Sequence, residues 1–256
     1  MDQIAYRQFL ELERTHWWFR GRRSVYLGLL AHLIEREGRP PQRILDLGCG
    51  MGGFLEGLAR LGQRVYPSDI SVESLATCRQ RGFGQGAVSH GYALPYRDQS
   101  FDLVCLFDAI EHIEDDRRAM AEIARVLRPG GRVFLSVPAY QFLFANNDRV
   151  AQHFRRYTRG AVASLFGSAG LLVERNSHAN VLLFPAILPA VLAIKGLERL
   201  LSLEARSDHT NLSWPIPGFV HGLLHALFAA ELPGTRRFDW PVGHSIVASA
   251  RKPAGT

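Results

Sequence analysis

Ile44-Leu45-Asp46-Leu47-Gly48-Cys49-Gly50-Met51-Gly52-Gly53-Phe54 is the run that decides the fold. An apolar strand pattern delivers an aspartate, glycines follow at alternate positions, and an apolar helix start closes the run. Glycine lets the backbone turn tightly and approach a ligand, because no Cβ stands in the way. The loop opens a helix, so unpaired amide N–H groups face whatever binds there. Gly48, Gly50 and Gly53 also satisfy the dinucleotide spacing G-x-G-x-x-G. Asp46 argues against that ligand: it lies two residues before the first glycine, where a carboxylate repels a pyrophosphate. A ligand with an ammonium and a sulfonium but no phosphate would exploit the same charge.

Outward from this run the chain alternates strands and helices. Strands are expected at 43–47, 64–68, 86–90, 102–107, 131–137, 171–178 and 244–250, with helices at 53–61, 71–81, 115–127 and 158–168 between them. This order predicts a doubly wound, mostly parallel sheet of seven strands that binds ligands beyond the carboxyl ends of its strands. Residues 1 to about 37 read as helix, with Phe9, Leu10 and Leu12 and then Val25, Tyr26, Leu29, Leu30 and Leu33 at helical spacing. Apolar helical stretches at 181–201 and 217–232 form an insertion before the last strand, around Asp208-His209-Thr210-Asn211. The expected organisation is a helical lid at 1–41, a cofactor-binding core at 42–178, a helical cap at 179–243, and the last strand and tail at 244–256.

The glycine loop resembles the first motif of class I S-adenosylmethionine-dependent methyltransferases, acid-x-Gly-x-Gly-x-Gly, here Asp46, Gly48, Gly50 and Gly52 with Cys49 inside it. The resemblance implies a Rossmann-like fold and S-adenosylmethionine as cofactor. Val65-Tyr66-Pro67-Ser68-Asp69-Ile70 resembles the second motif, in which the acid, here Asp69, accepts both ribose hydroxyls and Ile70 follows it. Pro67 stands where relatives often carry glycine, which stiffens the turn but keeps the acid. His90-Gly91-Tyr92-Ala93-Leu94-Pro95-Tyr96 resembles the adenine-binding turn; many relatives carry aspartate where His90 stands. Recognition there then falls to a neutral histidine nitrogen or to the backbone of Gly91 and Tyr92. Phe107 and Asp108, ending the fourth strand, are expected on the sulfonium side. Glu111-His112 resembles a pair in the subfamily that includes ubiquinone-pathway methyltransferases, and Arg128-Pro129-Gly130-Gly131 the turn before the fifth strand.

The acceptor is sought outside this core. The sulfonium activates the methyl, so the protein must align the reactants and exclude water, with a base where a hydroxyl or ammonium accepts. His153, His112 and Tyr140 are the catalytic candidates. His16, Trp17 and Trp18, an aromatic knot resembling N-terminal lids of bacterial methyltransferases, and Tyr157 are the acceptor-binding candidates. The acids Asp108, Glu111, Glu114 and Asp115 read as the acidic start of a helix, and no metal is expected.

Composition bounds the partners. The chain has 256 residues, 47% hydrophobic and 21% charged, ordinary for a globular protein. Its net charge of +6 comes from scattered arginines, with lysine only at 195 and 252, which argues against a nucleic-acid surface. Cys49, Cys78 and Cys105 have no metal or disulfide spacing, and the N-terminus has no signal pattern, so a cytoplasmic location is expected. The reading is methyl transfer to an oxygen or nitrogen of a small, partly apolar or aromatic molecule, in secondary metabolism. Its alternatives are a lipid-linked or quinone-type acceptor at a membrane surface, an RNA, or a non-catalytic binding role. The apolar insertion could enlarge an acceptor pocket, form a homodimer contact or touch a membrane peripherally.

Overall fold

A computed structural model describes residues 12–13, 15–200 and 216–254. Phe9 and Leu10 of the expected first helix, and Asp208–Asn211 of the insertion, lie outside them.

Seven strands form one sheet in the order β3-β2-β1-β4-β5-β7-β6. They are β1 (Arg43–Leu47), β2 (Arg64–Asp69), β3 (Ala87–Val88), β4 (Phe101–Phe107), β5 (Leu127–Pro138), β6 (Leu172–Ala179) and β7 (Ser245–Arg251). The first five run parallel and β7 enters antiparallel between β5 and β6. Strands β1 and β4 are each buried at every position but one because helices cover both faces of the sheet. Two apolar clusters result. One gathers around Leu45, Leu106, Ile123, Leu135 and Phe166; the other gathers around Ile44, Tyr26, Leu55, Phe134 and Phe228 on the opposite face.

Element bounds differ from the sequence expectation where backbone geometry intervenes. The helix after the glycine loop, α2, spans only Leu55–Ala59, because Gly52, at φ 85°, keeps the chain in a turn. Strand β3 shrinks to two residues at the sheet edge, and the chain turns away at the bridge between His90 and Ala93. Strand β5 starts four residues early, at Leu127, with a register irregularity against β4 between Phe101 and Leu103.

The N-terminal helix α1 (Trp17–Glu37) is capped by His16, whose Nδ1 accepts from the Trp18 amide at 3.2 Å, and ends at Gly38 with φ 74°. Helices α3 (Val72–Gln80), α4 (Asp116–Val126), α5 (Asn146–Val150) and α6 (Arg159–Ser168) connect the strands. The insertion supplies α7 (Phe184–Leu200), α8 (Gly218–Ala230) and α9 (Leu232–Arg237). The N-terminal helix and the insertion pack on each other. A Cβ on Gly21 of α1 would lie 2.3 Å from the Phe228 ring of α8, so only glycine permits that approach. The Trp17 amide donates to His221 Nδ1 at 3.2 Å, and Ser24 Oγ meets His225 Nε2 at 3.1 Å. Glu231, buried between α8 and α9, accepts from the amides of Asn180 at 2.6 Å and Val181 at 2.7 Å, where the chain leaves β6. Among the described residues, no helix is long and apolar enough to cross a membrane.

Candidate active site

The glycine loop emerges from β1 at the carboxyl edge of the sheet. Gly48 and Gly50 take φ 74° and 53°, the left-handed region that favours glycine. The loop is tied to β2 by the amides of Gly48 and Cys49, which donate to the Ser68 carbonyl at 2.8 and 3.1 Å. Asp69 completes the tie: its carboxylate accepts from the Gly50 amide at 2.8 Å and the Ser71 amide at 2.9 Å. Ser71 also caps α3, so one short segment fixes the acid and starts the helix. Ile70 is 56% exposed beside this acid, and His90 and Tyr92 stack nearly parallel at 6.4 Å on the same edge.

Asp46 is buried, and its Oδ1 has no hydrogen-bond partner among the described residues. Burial pushes its carboxyl up to about 8, and the negative charges of Asp69 and Glu13 push the same way. A cationic ligand would reverse that penalty. Around Gly50 nothing lies within 4 Å of the place a Cβ would occupy, so the loop faces open space. The cradle therefore fits S-adenosylmethionine: Gly48, Gly50 and Asp46 would hold its methionine side, and Asp69 its ribose.

A cavity of about 430 Å³ continues from Asp46, Gly48, Cys49 and Gly50 to a second wall built by distant segments. Trp17, Trp18 and Phe19 come from the start of α1, and Ile187, Val191 and Ile194 from successive turns of α7. Phe107 stacks on Phe54 with ring centroids 3.8 Å apart and closes the floor. Asp108, at φ 52°, is held by Arg22 of α1 at 2.8 Å and by the Ser136 hydroxyl at 2.7 Å. Arg22 also donates to the Phe107 carbonyl at 3.3 Å. It thus anchors the N-terminal helix to the carboxyl end of β4.

The polar end of the cavity gathers Glu111, His112, Asp148, His153 and Arg156. Asp148 Oδ1 is 2.9 Å from His153 Nδ1 and accepts from Arg156 Nε at 2.8 Å. Burial alone would raise the Asp148 carboxyl, but these two partners hold it down at about 2, as an anion. His112 meets His153 edge-on, ring centroids 4.6 Å apart. Burial first, then the neighbouring His153, lowers His112 to about 3, so it is neutral at neutral pH. Glu111 is fully buried, and neither carboxylate oxygen has a hydrogen-bond partner among the described residues.

Residues 45–135 match a family described as a methyltransferase domain. The chain carries a class I S-adenosylmethionine-dependent methyltransferase domain. It is 38% identical over 161 residues to a ubiquinone biosynthesis O-methyltransferase of Aeromonas salmonicida, covering 54% of this chain and 66% of that one. It is 30% identical over 167 residues to a Mycolicibacterium smegmatis protein named "Probable S-adenosylmethionine-dependent methyltransferase", covering 64% and 62% of the two chains. The chain thus spans less than two thirds of the length of these curated relatives. A solved S-adenosylmethionine-dependent methyltransferase of Thermotoga maritima shares the fold at TM-score 0.59 and 18% identity, covering 97% of this chain and 98% of that one. S-adenosylmethionine is the cofactor of this family.

Of the residues singled out in the sequence, the cavity brings together Asp46, Gly48, Cys49, Gly50, Phe107, Asp108, His112, His153, Trp17 and Trp18. Gly52 is not on the cavity wall; it packs beneath the loop, with Leu55 2.7 Å from where its Cβ would stand. Asp69, Ile70, His90, Gly91 and Tyr92 sit on the adjoining edge at β2 and β3 rather than in the cavity. Three candidates lie elsewhere. His16 is 3% exposed, spent on capping α1 and packed edge-on against His221 at 5.0 Å. Tyr157 is buried, its hydroxyl donating to Asp116 at 2.9 Å. Tyr140 stacks between His178 and Phe184, outside the cavity wall. Each aromatic is thus used by packing that only the tertiary fold reveals.

The sequence alone assigns no role to Asp148 or His244. Asp148 had a local signal, an acid five residues before a histidine in a loop. His244, on the cavity wall and packed edge-on against Trp18 at 5.3 Å, had none.

Proposed function

We propose that the protein transfers the methyl group of S-adenosylmethionine to an oxygen or nitrogen of a small molecule with an apolar or aromatic body. The observation that carries this reading is the continuity of one cavity from the glycine loop to a wall of Trp17, Trp18, Ile187, Val191 and Ile194. Its size is that of a small-molecule site, about 300–1,000 Å³. Glu111, His112 and His153 line its polar end, and in this reading they face the acceptor hydroxyl or amine and take its proton. The sulfonium supplies the activated methyl. Asp108 and Phe107 position it, Asp148 fixes the orientation of His153, and the α1 and α7 side chains keep water from the transfer. Biosynthesis of a secondary metabolite is the setting this reading favours.

A second reading, a lipid-linked or quinone-type acceptor, draws on the relative from ubiquinone biosynthesis and on α8, which carries no acid, lysine or arginine. That helix exposes Phe219, Leu223 and Leu227 at fourfold spacing.

Methyl-labelled S-adenosylmethionine, offered with a panel of phenols, quinols and amines, tests the first reading. Label transfer to at least one soluble acceptor, abolished by His153→Ala, is expected. Transfer only in the presence of vesicles, with the protein floating with them, would replace it by the second reading. Failure to bind S-adenosylhomocysteine would overturn both.

A further inference from the structure

Three side chains at the polar end of the cavity have the composition and separation of a cation site. Glu111 Oε, a ring nitrogen of His112 and one of His153 all lie within 4.8 Å of one another. The pair Glu111-His112 comes from the turn after β4, whereas His153 arrives from the loop after α5, so only the fold unites them.

Glu111 gives the site its strongest pointer. It is 0% exposed and both oxygens are without a hydrogen-bond partner among the described residues. Burying a carboxylate unpaired is costly, and proteins normally pair such a group or give it a metal. Asp108 and Asp148 add negative charge around it. Arg22, the cation acting on it, is already committed to Asp108 and to the Phe107 carbonyl.

The histidines are prepared in the manner of metal ligands. Asp148 holds Nδ1 of His153, which leaves Nε2 for a ligand and reproduces the carboxylate–histidine arrangement behind metal-bound imidazoles. The Ala151 and Gln152 carbonyls act on the His112 ring and orient it. Ligands about 2.1 Å from a tetrahedral ion stand about 3.4 Å apart, so loading closes the widest pair by little more than an ångström.

We propose that Glu111, His112 and His153 bind a borderline first-row divalent cation of the zinc type at the acceptor end of the methyl-transfer cavity. Two imidazoles and one carboxylate suit such an ion better than magnesium or calcium, which prefer all-oxygen shells. Open coordination positions face the cavity and take the acceptor hydroxyl. The ion favours loss of the hydroxyl proton to solvent. The oxygen then forms its bond to the methyl carbon as the carbon–sulfur bond breaks and its electron pair stays on sulfur. This inference rests on the methyl-transfer reading and deepens it toward a hydroxyl-bearing acceptor.

The test is titration of the chelator-stripped full-length chain with Co²⁺, followed by its visible d–d absorption. One saturable equivalent is expected, displaced by Zn²⁺. Glu111→Gln and His153→Ala should each raise the Co²⁺ Kd about 100-fold or more, and Asp148→Asn should raise it about tenfold, the low end of the usual range of outer-shell losses. No saturable binding by the wild type, or equal binding by Glu111→Gln and His153→Ala, overturns the site. S-adenosylhomocysteine titrated into the same samples reports folding of the variants. If the wild type binds S-adenosylhomocysteine but not Co²⁺, the cation site alone falls; if it binds neither, the methyl-transfer reading falls with it.

Discussion

The proposed donor side and the proposed acceptor side of the cavity are built by different means. The donor side uses one contiguous stretch and mostly backbone: positive-φ glycines, amides of residues 48–50, and an aspartate that accepts from two of the chain's own N–H groups. The acceptor side uses side chains from α1, the turn after β4, α5 and its following loop, and α7. Backbone geometry tolerates few sequences, so the first side is constrained residue by residue. Side chains converging from afar can be exchanged, so the second side is where related chains can diverge. Four substitutions sharpen that contrast.

Phe228→Ala should have the largest effect. The ring is fully buried between α1 and α8, and its loss should lower unfolding stability by about 3–5 kcal/mol. Chemical denaturation measures this. S-adenosylhomocysteine affinity without denaturant should change by no more than about twofold if the two sides are independent, since a shift that small is worth about 0.4 kcal/mol. A large loss of affinity would show that the acceptor side holds the donor loop in place.

Gly50→Arg attacks the other side. Open space surrounds its Cβ position, so the fold should survive with a penalty of about 1–2 kcal/mol for a side chain at φ 53°. The arginine would occupy the cofactor's place, and calorimetry should show affinity falling by about 100-fold or more, equivalent to about 2.7 kcal/mol. Next comes Asp69→Ala. It leaves the Gly50 and Ser71 amides without their carboxylate and removes the expected ribose acceptor, so cofactor affinity should drop about 10- to 100-fold.

Asp46→Asn should act most subtly, through pH. In the free protein the Asp46 carboxyl is protonated up to about 8, so a cationic ligand must displace a proton to meet the carboxylate. Affinity for S-adenosylmethionine should therefore rise between pH 6 and 8, at most about tenfold per pH unit, and the asparagine variant should flatten the slope. Calorimetry in two buffers of different ionisation enthalpy would detect the released proton. A wild-type affinity indifferent to pH would show that Asp46 is already ionised.

The same contrast explains what could be read before the structure. The succession of strands and helices along the chain, the loop at 46–53 and the acid at 69 follow from periodicity, glycine spacing and a fixed offset, all local rules. Strand β3 and the start of β5 were misjudged because edge position and a register irregularity decide them, and neither leaves a local pattern. His153 stood out by residue type, but its pairing with Asp148 and its meeting with Glu111 depend on how a loop after β5 folds back over β4. His16 and Tyr157 looked available for ligands because nothing in the sequence says that His221 and Asp116 will be their neighbours.

Glu231 bears on how such a protein can change over time. Its carboxylate grips the backbone where the chain departs from β6, while Ala179 pairs with Ser245 at the end of the β6–β7 hairpin. The sheet therefore meets the whole excursion between those strands as a closed hairpin. Lengthening a closed loop is cheap, about 0.6 kcal/mol for each doubling. Helices α7 and α8 form a cassette that can be extended, shortened or exchanged with little strain on the strands carrying Asp46 and Asp69. A new acceptor preference could then arise in a lineage while the methyl-donor half of the molecule stays as it was.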